Sequence, residues 1–256
     1  MKRFWIALVA LVTPIVHAAP SGTFPAKDWG QLLQRYVDRE GRVDYAALKA
    51  STEDRRRLDQ LVKYIAEISP AKAPASFPSD EAKVYYLNAY NVLVWKSVVD
   101  RIGRVPPFTN VDADKEAFFY RTKFSVGGEA LSLSELEGKV IRPRFADPRV
   151  HMALNCASGG CPVLPREPFA ADKLDLQLVR EARRFCNEAR NVAPSSDGTS
   201  VKLSRIFDWY KDDFGGAPDK VLAWINRYRT APILPGAKID YLEYDWTLND
   251  RQLLRR

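Results

Sequence analysis

The chain has 256 residues, 28% of them charged, with 39 lysines and arginines against 32 acids and a formal net charge of +7. That length suits one sizeable core and is long for two full domains. The arginines are scattered (Arg55-Arg56-Arg57, Arg183-Arg184, Arg255-Arg256) with no basic stripe among aromatics, which speaks against nucleic acid as a partner.

Residues 1–18 read as a secretory signal. Lys2 and Arg3 form the charged start, an apolar run extends from Phe4 to Val16, and Val16-His17-Ala18 is a small-residue cleavage site. Cleavage after Ala18 and a periplasmic or secreted protein are expected. The run is too short to cross a bilayer comfortably and no second stretch of membrane length follows, so no stable membrane span is expected.

Residues 19–40 then supply a loose leader and a helix from Trp29 to Val37, and 41–250 form one domain ahead of a short tail, 251–256. Gly41 to Tyr45 reads as a turn and extended piece, and Leu58 to Ile68 as an amphipathic helix. The prolines at 70, 74 and 78 mark a loop. Ser79 or Asp80 caps a long helix reaching about Ile102. It is apolar on every face except for two amides, Asn88 and Asn91, so it should be central. A buried amide without a partner costs about 1–3 kcal/mol. Asn88 and Asn91 therefore either tie neighbouring loops or line a site.

Gly127-Gly128 predicts a hairpin between 124–126 and 130–133. Ser134-Glu-Leu-Glu137 fits a capping box opening a helix that Pro143 stops, with Glu135 and Glu137 explained as first-turn acids. Residues 149–155 alternate, which predicts a strand with Val150, Met152 and Leu154 on one side and His151 and Asn155 on the other. Helices follow at 174–189, from Ser204 to Gly215-Gly216, and at 219–228, and 238–246 alternates as a final strand. Helices and strands mix without βαβ regularity. The fold class is α+β: a single domain with a central helix packed on an antiparallel sheet.

The chemistry concentrates in residues 149–162. This stretch holds two of the three cysteines and His151. A thiol near an imidazole can be held as thiolate, the nucleophilic form. Cys156 is then the nucleophile, His151 its base and Asn155 the group orienting the imidazole, with Cys161 as a second thiol. The amides of the Ser158-Gly159-Gly160 turn are placed to face an oxyanion. An equally weighted alternative is a disulfide loop from Cys156 to Cys161, natural in an oxidising compartment. Metal ranks last, because Cys-x4-Cys plus one histidine is not a standard zinc spacing and a fourth ligand is not obvious. No metal and no cofactor are expected. Cys186 reads as a buried, inert thiol. The block 208–214, with Trp209 and Tyr210, and the block 244–249 join aromatics to carboxylates, as core anchors or as a cleft for a peptide or glycan.

Several blocks occur in order: Asn88-Ala-Tyr-Asn91, Leu131-Ser-Leu133 before an acidic helix, His151-Met-Ala-Leu-Asn-Cys156 with Cys161-Pro162, Trp209-Tyr210 with Asp213-Phe214, Tyr244-Asp-Trp246, and Leu248-Asn249. On these the chain, from about Gly41 to Asn249, resembles the bacterial domain-of-unknown-function family numbered 547. The family is similar in turn to the papain and transglutaminase superfamily, which implies a central helix followed by a sheet whose strand carries a histidine. In those enzymes the nucleophilic cysteine opens the central helix; here that helix offers Asn88 and Asn91, and the cysteines follow His151.

Two functions fit. One is a thiol-dependent amide or acyl hydrolase or transferase acting on cell-envelope peptides. The other is a non-catalytic periplasmic binding or interaction domain, with a structural Cys156–Cys161 bond and an envelope peptide or protein partner held at Asn88, Asn91, Cys161, Trp209 and Tyr210.

Overall fold

The computed structural model describes residues 24–253. The signal-like segment and the last three residues of the tail lie outside the described residues. Four helices open the chain: α1 (Ala26–Tyr36), α2 (Tyr45–Ala50), α3 (Thr52–Glu67) and α4 (Ser79–Val99). α4 is the centre of the molecule. Sixteen of its positions are buried, among them Tyr85, Tyr86, Asn88, Tyr90, Asn91 and Trp95. A helix apolar all round is stable only when enclosed on all sides. α4 is enclosed by α2, α3 and the helical segment 133–145. Trp29 of α1 meets Trp95 edge-on at 4.8 Å. Buried Asp54 joins α1 to α3, accepting hydrogen bonds from Tyr36 Oη at 2.7 Å and Arg57 Nη1 at 2.9 Å, and from Arg35.

The hairpin forms as expected, with β1 (Phe124–Val126) antiparallel to β2 (Glu129–Leu131). Gly127 and Gly128 both have positive φ, at 58° and 85°, as a two-residue hairpin turn requires. A second, smaller core contains Met152, Phe185, Leu203, Phe207, Phe214 and Trp224. It is built from α7 (Leu174–Asn187), α8 (Ile206–Trp209), α9 (Pro218–Asn226) and a three-stranded sheet. In this sheet β3 (Val192–Pro194) pairs antiparallel with β4 (Ser200–Leu203), and β4 pairs parallel with β5 (Lys238–Tyr241).

The fold is α+β, but its sheets differ from the expected one. The three-stranded sheet is mixed, and the central helix is wrapped by helices. Strand β5 stops at Tyr241 rather than continuing to Trp246.

Residues 149–155 are not a strand. Pro148–Met152 is a 3-10 helix, with the Asp147 side chain accepting from Arg149 N at 3.1 Å and Pro148 in its first turn. The apparent alternation has no exposed face behind it, since Val150, His151, Met152, Ala153, Leu154 and Asn155 are all buried. This segment lies between the two cores, so both sides of it meet protein.

The capping box sits two residues earlier than expected. Ser132 Oγ accepts from Glu135 N at 3.2 Å and Glu135 Oε2 accepts from Ser132 N at 2.9 Å. Pro143 does not stop the helix. The chain continues from α5 (Leu133–Glu135) through a wide π turn (Leu136–Ile141) into α6 (Arg142–Phe145), and ends at Ala146, whose φ is +46°. Pro143 falls at the start of α6, where a missing N–H is tolerated. At the start of α4, Pro78 occupies the cap position and neither Ser79 nor Asp80 caps through its side chain. Asp80 and Glu81 instead place negative charge in the first turn.

Asn88 and Asn91 tie two loops to α4. Asn88 donates to Phe169 O at 2.9 Å and accepts from Phe169 N at 3.0 Å. Asn91 donates to Ala153 O at 3.0 Å and accepts from Asn155 N at 2.9 Å. Truncating Asn91 leaves a buried carbonyl and a buried N–H without partners. Asn91→Ala should therefore cost about 2–4 kcal/mol, measured by urea denaturation. A loss below about 0.5 kcal/mol, the level of a neutral surface change, would mean that this amide does not hold the segment.

Candidate binding site

The two cores meet along a cavity of about 350 Å³, within the range of small-ligand pockets. Its wall includes Tyr90 from α4, Phe119 and Tyr120, Glu137, His151, Cys156 and Cys161, Trp209 and Tyr210, and Tyr244 and Trp246. Two of the contributors are wide helical turns. Glu116–Arg121 is a π turn carrying Phe119 and Tyr120, and Leu136–Ile141 is a π turn carrying Glu137. Such turns are frequent at functional sites. The second of them lets Glu137 contribute to the cavity, a role the first-turn explanation from sequence did not anticipate.

His151 is 3% exposed. Its Nε2 is 2.7 Å from Asp213 Oδ2, and Arg142 grips the same carboxylate with Nε at 2.7 Å and Nη2 at 3.0 Å. Beside an ionised carboxylate Nε2 carries the hydrogen and donates it. The imidazole stacks on Tyr210 at 4.1 Å, and the Arg142 guanidinium lies over the same ring at 4.9 Å. The His151 hydrogen bond, backed by Arg142, holds the Asp213 carboxyl well below the usual carboxylate range.

Asn155 does not orient the imidazole. It donates to Pro162 O at 2.8 Å and accepts from Ala157 N at 3.0 Å and Asn249 Nδ2 at 3.1 Å. Its side chain shapes the loop that follows. The orienting partner, Asp213, lies 62 residues from His151 along the chain. The aromatic-carboxylate block 208–214 marked its neighbourhood in the sequence, but nothing there paired it with His151.

Cys156 and Cys161 are joined in a disulfide. Its sulfurs are set in a polar nest. Ser158 Oγ donates to Tyr244 Oη at 3.1 Å, and Tyr244 Oη lies 3.2 Å from Cys156 Sγ and 3.4 Å from Cys161 Sγ. Burial pushes the Tyr244 phenol up, so it remains a donor. The loop is packed too tightly for side chains at its glycines. A Cβ on Gly159 would come within 2.3 Å of Asp245, and one on Gly160 within 2.8 Å of the Tyr244 ring. Their amides do not face an oxyanion position: Gly159 N donates to Thr247 O at 2.7 Å and Gly160 N to Asp245 O at 2.8 Å.

Behind the loop lies a second, more polar cavity of about 650 Å³, with Asn155, Asn191 and Arg190 in its lining. The disulfide loop is thus a partition. Arg190 braces it, donating to Gly159 O at 2.7 Å and Cys161 O at 3.2 Å.

The structure brings His151, Cys156, Cys161, Trp209 and Tyr210 to one cavity and leaves Asn88, Asn91 and Asn155 outside it. Cys186 is a free, buried thiol, pushed up to about 12 by burial. Among the described residues no group of three or more His, Cys, Asp or Glu side chains is placed to hold a metal ion, and no helix is long and apolar enough to cross a membrane.

Residues 74–186 match the model of a family described as "Protein of unknown function, DUF547". Over that stretch the chain is similar to the DUF547 family. No curated protein and no solved structure matches. The DUF547 segment runs from the loop before α4 to the end of α7 and holds Tyr90, Glu137, Arg142, His151 and the disulfide. Trp209, Tyr210, Asp213, Tyr244 and Trp246 lie beyond it, so the cavity is completed by the part of the chain that follows.

Two outcomes check this geometry. Asp213 is a stronger acid in the folded state than in the unfolded chain, so its stabilisation is present above the unfolded carboxylate value, about 3.9, and fades as pH falls through the lower folded value. Asp213→Asn should therefore lower stability at neutral pH and flatten the loss of stability below about pH 4, followed by denaturation at stepped pH. Thiol titration of the native chain should find no fast-reacting cysteine, one after unfolding without reductant, and all three after reduction. A fast native thiol would contradict the Cys156–Cys161 bond.

Proposed function

We propose that this chain is an exported binding domain, in the periplasm or secreted, that holds a segment of cell-envelope peptide in the aromatic cavity. The observation carrying this reading is the Cys156–Cys161 bond in the cavity wall. A nucleophilic sulfur must be a thiolate, and in the bonded chain neither Cys156 nor Cys161 has one.

What supports binding is the wall itself. Trp209 is 45% exposed, unusual for a tryptophan, and lies 4.8 Å from Tyr244 and 5.6 Å from Trp246. Rigid aromatic anchors of this kind carry much of the energy of recognition while losing little side-chain entropy. The disulfide keeps the wall fixed beneath them. In the chain-entropy picture a loop this short contributes about 2 kcal/mol, and a fixed wall lowers the ordering cost of binding.

The test is a titration of the oxidised chain, followed by tryptophan fluorescence, with end-blocked tripeptides grouped as cationic, anionic, aromatic and neutral polar. At least one group should bind saturably, and Trp209→Ala should weaken it about tenfold, the loss of about 1.4 kcal/mol typical of an interface anchor. The peptide should be recovered intact. Cleavage by the oxidised chain, or no saturation by any group, would overturn the reading.

A further inference from the structure

The charges around the cavity identify what kind of group it takes. Two acids stand near its floor, and they differ. Asp213 is paired with Arg142 by a two-pronged contact and hydrogen-bonded by His151. Among the described residues no lysine or arginine nitrogen pairs with Glu137 within 4.0 Å. His151 Nδ1 lies 3.8 Å from it, the Tyr90 and Tyr210 hydroxyls hydrogen-bond it, and Arg142, already committed to Asp213, acts on it only through space. Its side chain is 14% exposed and lines the cavity. A carboxylate drawn this far out of water is costly without a counter-charge.

Aromatic rings surround it. Tyr90, Tyr210, Tyr244, Trp209 and Trp246 share the same lining. Ring faces are negative and attract cations, most strongly when water is excluded. The protein already uses one of these faces in this way, with Lys115 Nζ 4.3 Å from the centre of the Trp246 ring. Lys115 lines the cavity too, paired loosely with Asp112 Oδ1 at 3.6 Å, and so competes with an incoming cation for the Trp246 face. The remaining combination is a carboxylate without a close ion pair to lysine or arginine, in a wall shared with several aromatic rings, around a space sized for one side chain or a small molecule.

We infer that the cavity binds an aliphatic ammonium group, such as the side-chain amine of a peptide, with Glu137 as counter-ion and the Trp209–Tyr244–Trp246 cluster as its cage. This rests on the binding reading above and names the chemistry it selects. An anionic group would face Glu137, and a neutral group would bring that carboxylate no counter-charge.

The experiment compares two probes on the oxidised full chain by calorimetry: Nα-acetyl-lysine methylamide and the same compound acetylated on its side-chain amine. Acetylation keeps the length and removes the charge. The charged probe should bind at least tenfold more tightly. Glu137→Gln should abolish that preference by weakening the charged probe about tenfold while leaving the acetylated probe unchanged, with an unaltered circular dichroism spectrum. Lys115→Met should tighten the charged probe severalfold, which keeps the test open if the Glu137 variant does not fold. Equal binding of the two probes, or a preference for the acetylated one, would overturn the ammonium assignment and leave the cavity as a binding site. Saturation by neither probe, together with none by any tripeptide group, would overturn both.

Discussion

A helix buried on every face has no solvent to satisfy its polar side chains, and that constraint organises this protein. α4 carries Asn88 and Asn91 inside the core, where each must find both a donor and an acceptor. Each finds them in irregular backbone: the Phe169 peptide for Asn88, and the Ala153 and Asn155 peptides for Asn91. The loops are irregular because their backbone groups pair with amides rather than with a neighbouring strand. The most deeply buried helix of the molecule thereby holds the least regular segments, including the stretch that leads from His151 into the disulfide loop.

The cavity follows from that arrangement. The segment 148–161 passes between the two cores, contributing Val150 and Leu154 to one and Met152 to the other. Its side chains are fixed from both directions. His151 is stacked on Tyr210 and bonded to Asp213 across the seam, and the disulfide loop closes the wall with Tyr244 laid over Gly160. The DUF547 segment supplies one half of this arrangement, and the chain beyond Cys186 supplies the other. Neither part encloses the cavity alone.

Local patterns read well where one element decided its own conformation. The all-round apolar run of α4, the Gly127-Gly128 hairpin and the helix at 174–187 are visible from spacing alone. Patterns failed where partners decided. Alternation over 149–155 implies a half-exposed strand, but a segment buried on both sides gives its alternation no structural meaning, and Pro148 with the Asp147 cap turns it into a 3-10 helix. Pro143 normally ends a helix, but after a π turn it begins the next one. The β3–β4 hairpin was missed because its strands are three and four residues long and are stabilised by the second core and by β5.

By itself the sequence determined the α+β class, the central helix with its two amides, the concentration of chemistry around His151 and the two cysteines, and the aromatic blocks near Trp209 and Tyr244. These depend on residue type and short-range spacing. Only the tertiary structure decided that Cys156 and Cys161 are bonded, that Asp213 rather than Asn155 holds His151, and that Glu137 lines the cavity with no lysine or arginine nitrogen within 4.0 Å among the described residues. Those facts concern which charges and sulfurs end up within a few ångströms of one another. Such distances are set by how two cores close on a shared segment, across sequence separations that no local pattern encodes.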